Sequence, residues 1–156
     1  MARINYSDEE DRPGQFALFQ ANCGRSLRGK AGQRALRELE AALLALPEKR
    51  LIRERLWEAG EVCAVGAYAQ YKGLDIWTMD PEDDSDEVGV AAGMPRLVAW
   101  KVVALNDIEL DTVWEPAYGP VQRGHGIYQG GIALIREMTP EERFDRVLAW
   151  VRSHLR

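Results

Sequence analysis

The densest chemistry in the sequence lies at residues 80–87, where Asp80, Glu82, Asp83, Asp84, Asp86 and Glu87 put six carboxylates into eight positions. Carboxylates bind hard cations, and a calcium loop needs alternating oxygen ligands, glycine at its sixth position and glutamate at its twelfth. Counted from Asp80, those two positions hold Ser85 and Ala91, so the pattern fails twice. Magnesium held by one or two carboxylates is the remaining metal reading, and with His125 it would make a metal-dependent enzyme. The simpler reading is a solvated entry to a helix, where acidic side chains sit near the positive end of the helix dipole. Such a surface also suits a basic protein partner, because charge complementarity accelerates encounter and sets specificity.

Few other residues offer chemistry. The chain has two cysteines, Cys23 and Cys63, and two histidines, His125 and His154, so a four-ligand zinc site would need all of them. Neither cysteine lies in a CxxC pair, and both read as reduced thiols. His125 is flanked by Gly124 and Gly126, with no nucleophile elbow and no second histidine beside it. The glycines at 124, 126, 130 and 131 fit neither a dinucleotide fingerprint nor a phosphate loop. The basic, glycine-containing stretch at 24–32 precedes a helix whose N-terminus could hold an anion, but a polar interhelical connection explains it as well. No catalytic residue, metal ligand or cofactor is assigned on these grounds, and the chain reads as non-enzymatic.

Residues 88–102, VGVAAGMPRLVAWKV, have the outline of a helix-turn-helix, and a DNA-binding regulator is the alternative function. Only Arg96 and Lys101 are basic there, and the six acids come directly before. Phosphate contacts dominate DNA affinity, so nucleic acid is an unfavoured partner. Two aromatic residues join the acids as partner-binding candidates. Trp114 and Tyr118 lie in a stretch rich in glycine and proline, and their types dominate interface hot spots.

The elements that must hold these residues are mostly helical. Residues 30–46 carry Leu36, Leu39, Leu43 and Leu46 in a stripe, with Arg34, Arg37, Glu38 and Glu40 outside it, and Pro47 ends the helix. A second copy could pair on that stripe as a homodimer, but two heptads favour packing into the chain's own core. Residues 15–23 predict a short helix stopped at Asn22 and Gly24. Residues 48–59 predict another, capped by Gly60; in 61–71 Val62, Ala64 and Gly66 alternate as in a strand, but the alanine content and the helical spacing of Val62, Val65 and Ala69 favour a buried helix in which Gly66 permits close helix–helix approach. Two short helices broken at 93–95 follow. At the C-terminus, Thr139, Pro140 and Glu142 form a capping box before a stripe of Phe144, Val147, Leu148, Val151 and Leu155, from which Trp150 departs. Between them, 107–137 change character: polar alternation, then proline and glycine, predict a small β-hairpin or an irregular insertion.

The fold expected is therefore mainly α, a compact multi-helix single domain over 1–156, with a polar N-terminal arm at 1–14 and the insertion at 107–137. With 46% apolar and 29% charged residues and a net charge of −5, the composition is that of a globular chain. No apolar run is long enough for a membrane span and the first residues lack a signal-peptide core, which predicts a cytoplasmic protein without a membrane partner.

Four stretches, PGQFALFQAN (13–22), RALRELEAALLALPEKRLI (34–52), GEVCAVGAYA (60–69) and TPEERFDRVLAWV (139–151), resemble an uncharacterised family of small hypothetical proteins from bacteriophages, prophages and high-GC bacteria. None of these stretches is a catalytic signature. The resemblance implies that 107–137 is an addition, and that the chain is a small phage protein acting on a host protein, including the defence-inhibitor type. It assigns no residue a role.

Overall fold

The computed structural model describes residues 14–108, 110–123 and 126–156, the residues between 110 and 136 in their backbone alone. It is mainly helical. The order is α1 (Gln15–Arg28), α2 (Lys30–Ala45), β1 (Trp57–Glu58), β2 (Glu61–Val62), α3 (Ala64–Tyr71), a 3-10 turn (Ile76–Thr78), α4 (Ser85–Ala91), α5 (Arg96–Asn106), β3 (Leu110–Arg123), β4 (Gly126–Glu137) and α6 (Pro140–His154). The chain divides into two compact units. The larger ends at Asp107 and resumes over Pro140–Arg156, and the smaller is Ile108–Thr139.

In the larger unit the leucine stripe does what its period predicts. Leu36, Leu39 and Leu43 of α2 are fully buried, with Ala35 and Ala42 beside them. Helix α3 is buried on almost every side from Ala64 to Ala69, as an apolar helix must be when others surround it. Helix α5 packs against α1, α3, α4 and α6 through Val98, Ala99, Val102 and Val103. Phe144, Val147 and Val151 of α6 close the core.

The first helix runs to Arg28 and does not stop at Gly24. Phe19, Cys23 and Leu27 fall four residues apart on one face, and burial of Cys23 and Leu27 carries the helix through the glycine. The basic connection at 24–32 therefore collapses to one residue, Gly29, which caps both α1 and α2. The corner is tight enough that a Cβ on Gly32 would collide with the Ser26 carbonyl. Gln33, only 6% exposed, locks it: its Nε2 donates to the carbonyls of Leu27 and His154, both at 2.8 Å.

The helix expected over 48–59 is absent. Leu51 and Leu56 are both fully buried but lie five residues apart, a spacing that does not share a helix face. The backbone of this segment bonds outward instead. Leu51 N–H donates to the Pro140 carbonyl at 3.1 Å, Ile52 N–H to Val62 at 3.1 Å and Leu56 N–H to Pro81 at 2.9 Å. Gly60 sits in the turn joining β1 to β2, and the buried helix of 61–71 begins only at Ala64. Gly66 does permit a close approach, but to an extended segment: a Cβ there would lie 2.6 Å from the Leu56 carbonyl oxygen.

The smaller unit is the hairpin predicted for 107–137. Strands β3 and β4 pair antiparallel from Leu110 opposite Glu137 to Arg123 opposite Gly126. The prolines and glycines do not break the strands as expected. Gly126 and Gly131 pair in register with Arg123 and Pro116, and the one register shift lies between Pro116 and Pro120.

Candidate functional site

The acidic run is held at its backbone by bonds with Leu56, Trp57 and Asp80. The Trp57 indole N–H donates to the Met79 carbonyl at 3.1 Å, which together with the Leu56–Pro81 bond fixes the chain on either side of Asp80. Asp80 Oδ1 accepts the Glu82 N–H at 2.9 Å, and its carbonyl accepts Asp83 N–H at 3.0 Å, so the run starts in a side-chain-stabilised turn. Asp84 occupies the N-cap position of α4, with Asp86 and Glu87 in its first turn, where the helix dipole favours them. Buried Val88 and Gly89 seat α4 on the core, with Gly89 packed close to Ala99 and Val65.

This arrangement makes a groove of about 330 Å³ lined by Leu74, Met79, Asp83, Asp84, Glu87, Val88 and Ala91. Between Lys72 and Arg96 the sequence holds seven acids, Asp75 and the six of the run, and no lysine or arginine. Glu87 pairs with Arg96 at 2.7 Å, and Arg96's hydrogen bond and charge hold its carboxyl below the usual range. Glu82 pairs with Arg55 at 3.0 Å. Both pairs are solvent-exposed, and such pairs contribute little. Asp83 is exposed and has no ion pair among the described residues. Asp83 thus stands unpaired beside an apolar lining, in a stretch whose sequence holds seven acids and no lysine or arginine. That combination accepts a lysine or arginine, whose stem packs on apolar surface while its head meets carboxylates.

Three of the six predicted acids therefore meet in the groove, and Asp80, Glu82 and Asp86 do not line it. The apolar half, Leu74 and Met79, was missed. Its signal was the run of large apolar residues, Leu74, Ile76, Trp77 and Met79, directly before the acids. Trp114 and Tyr118 belong to the smaller unit. Trp114 is paired in register with Ala133, Tyr118 falls within the register shift, and their side chains lie outside the described residues. His125 lies outside them as well. Among the described residues, no three His, Cys, Asp or Glu side chains converge as metal ligands. None of the described helices is long and apolar enough to cross a membrane.

The helix-turn-helix outline at 88–102 is real as geometry: α4, a bend at 92–95, then α5. Its second helix, however, is packed on four others through Val98, Ala99, Val102 and Val103, and the face it leaves at the surface carries only Arg96 and Lys101 as cations. Its basic residues are also engaged, Arg96 with Glu87 and Lys101 with the Gln20 side chain at 2.9 Å.

Two other titratable clusters are structural. The Tyr68 hydroxyl donates to Glu38 Oε2 at 3.0 Å, and Lys72 pairs with Glu38 Oε1 at 3.0 Å, tying α3 to α2. Burial, and then Glu38 itself, push the Tyr68 hydroxyl far up, so it stays protonated. Burial also pushes Glu38 up, but its hydrogen bonds to Lys72 and Tyr68 and the charges of Lys72 and Arg34 outweigh that and leave it lowered. Cys63 Sγ accepts the Gly66 N–H at 3.3 Å as the N-cap of α3, and burial pushes the thiol up to about 11, too high for a nucleophile.

Comparison with family models, curated proteins and solved structures finds no match to this chain.

Proposed function

We propose that this chain is a non-enzymatic protein-binding accessory protein that docks a basic surface of its partner on the groove of Asp83, Asp84 and Glu87. Its resemblance to phage-borne small proteins makes the partner a host protein, and the activity that of a defence inhibitor. The observation that carries the reading is the pairing of carboxylates with an apolar lining on one rigidly seated segment. Solvated charge alone steers encounter but holds little, whereas apolar contact beside it gives a basic side chain somewhere to stay. A protein that reads nucleic acid would instead need cations here.

Affinity capture from host lysate, comparing the wild type with Asp83→Lys/Asp84→Lys, tests the reading. The expected result is a basic protein retained by the wild type and lost with the charge-reversed variant. Equal retention of the same proteins by both would overturn it. Asp83 is exposed, and circular dichroism of the variant checks that the helices are kept.

A further inference from the structure

We propose that a second groove, built around Trp77, is a binding site for a cationic side chain, arginine above lysine, of the same partner. This rests on the reading that the partner is basic, and it adds a site and a chemistry which that reading does not contain.

The groove has a volume of about 360 Å³ and is lined by Leu46, Val62, Trp77, Glu48, Arg50 and Glu61, among others. Trp77 is 40% exposed, one of five large apolar side chains left at the surface among the described residues. Its position is fixed. It meets Trp57 edge to face with ring centroids 5.8 Å apart, and Trp57 is itself tethered through its indole N–H to Met79. A held, exposed indole is the preferred platform for a cation, and a planar guanidinium stacks on it best.

The charges around it point the same way. Arg50 Nε lies 2.8 Å from Glu61 and 3.7 Å from Glu141, and its NH1 lies 4.0 Å from Glu48. Of the charges that line the groove, Glu48 and Glu61 outnumber Arg50 by one, and Glu141 stands beside Arg50 outside the lining. An anionic ligand would find Arg50 already compensated. A purely apolar ligand would have to desolvate the carboxylates without replacing their partners. A cation with an aliphatic stem meets both demands, resting the stem on Leu46 and Val62 and the head between Trp77 and Glu48. The site also continues the surface already described: Trp77 lines this groove and Met79, two residues on, lines the other. One basic face can therefore engage both.

The test uses the full chain and two peptides, acetyl-Gly-Arg-Arg-Gly-amide and its counterpart with citrulline at both arginines, which keeps the shape and removes the charge. Binding is followed at low salt by the NMR shift of the Trp77 indole N–H, assigned by its disappearance in Trp77→Phe. The arginine peptide should move that resonance and the citrulline peptide should not. Trp77→Ala should weaken binding about tenfold, in the upper range for a cation–π contact. Glu48→Lys, at a side chain 72% exposed and so harmless to the fold, should weaken it several-fold. An unmoved indole, equal response to citrulline, or unaltered affinity in both variants would overturn the proposal. The two readings separate with Asp83→Lys/Asp84→Lys. If that variant abolishes peptide binding while Trp77→Ala leaves it intact, the Trp77 site fails and the first groove stands. If the Trp77 response persists while host capture is unaffected by the reversal, the first groove fails and the Trp77 site stands.

Discussion

Arg143 of α6 donates its Nε–H to the main-chain carbonyl of Asn106 at 2.8 Å, although only 3% of Arg143 is exposed. The same guanidinium reaches the Leu51 carbonyl at 3.3 Å, while Asn106 bonds the Ala64 N–H at 3.0 Å and the Ile52 carbonyl at 2.9 Å. Two buried polar side chains thereby satisfy the backbone of a segment with no helix or long strand of its own. That segment leads directly to Trp57 and the hairpin turn beside Trp77, so both grooves stand on this joint.

Arg143→Met keeps the apolar stem and removes the donors, leaving two carbonyls without their guanidinium partner. Each buried unsatisfied acceptor costs about 1–3 kcal/mol, so the variant should lose about 2–6 kcal/mol in urea unfolding. A midpoint equal to the wild type would show that the joint contributes nothing.

Gly32→Ala tests the α1–α2 corner. Alanine is the better helix former, so propensity alone predicts stabilisation. The added Cβ would collide with the Ser26 carbonyl, and an overpacked site costs about 1–3 kcal/mol. We expect a lower melting temperature, and a higher one would mean that the corner opens without cost.

The parts of the fold legible in the sequence are those where one periodic pattern decides. Leu36, Leu39 and Leu43 placed α2, Thr139 and Pro140 placed the start of α6, and alternation around Trp114 placed the hairpin. Residues 48–59 failed because their backbone partners, Pro140, Val62, Pro81, Asn106 and Arg143, are distant in sequence and leave no local signal. The candidate site was half legible for the same reason. Asp83, Asp84 and Glu87 announce themselves by type, but which acids face the groove depends on the turn at Asp80 and on the seat of α4. Trp77 carried no mark distinguishing it from the buried aromatics.

Cys63 makes stability depend on alkaline pH. Its thiol is pushed from an ordinary value of 9.0 to about 11 by burial, so the unfolded chain ionises first. The native form keeps its proton until the higher value is reached. Its contribution is therefore full below pH 9 and is lost as pH rises toward 11. Urea midpoints measured across that interval should fall less in Cys63→Ala than in the wild type, and a thiol reagent at pH 8 should label Cys63 only after unfolding. Rapid labelling of native protein would refute the burial argument.

Random-sequence duplex DNA should not be shifted by this protein in a gel even at low salt, because α5 offers only Arg96 and Lys101 as cations and the carboxylates of 80–87 lie directly before it in sequence. A salt-sensitive shift would revive the helix-turn-helix reading of 88–102.

The central claim is that Asp83, Asp84 and Glu87 dock a basic partner, and association kinetics with the captured protein test it most directly. The wild-type association rate should fall steeply with ionic strength as the groove's charge is screened, and Asp83→Lys/Asp84→Lys should be slower by at least about tenfold at low salt, with a flattened salt dependence. Identical association rates for the two proteins at every salt concentration would contradict the account.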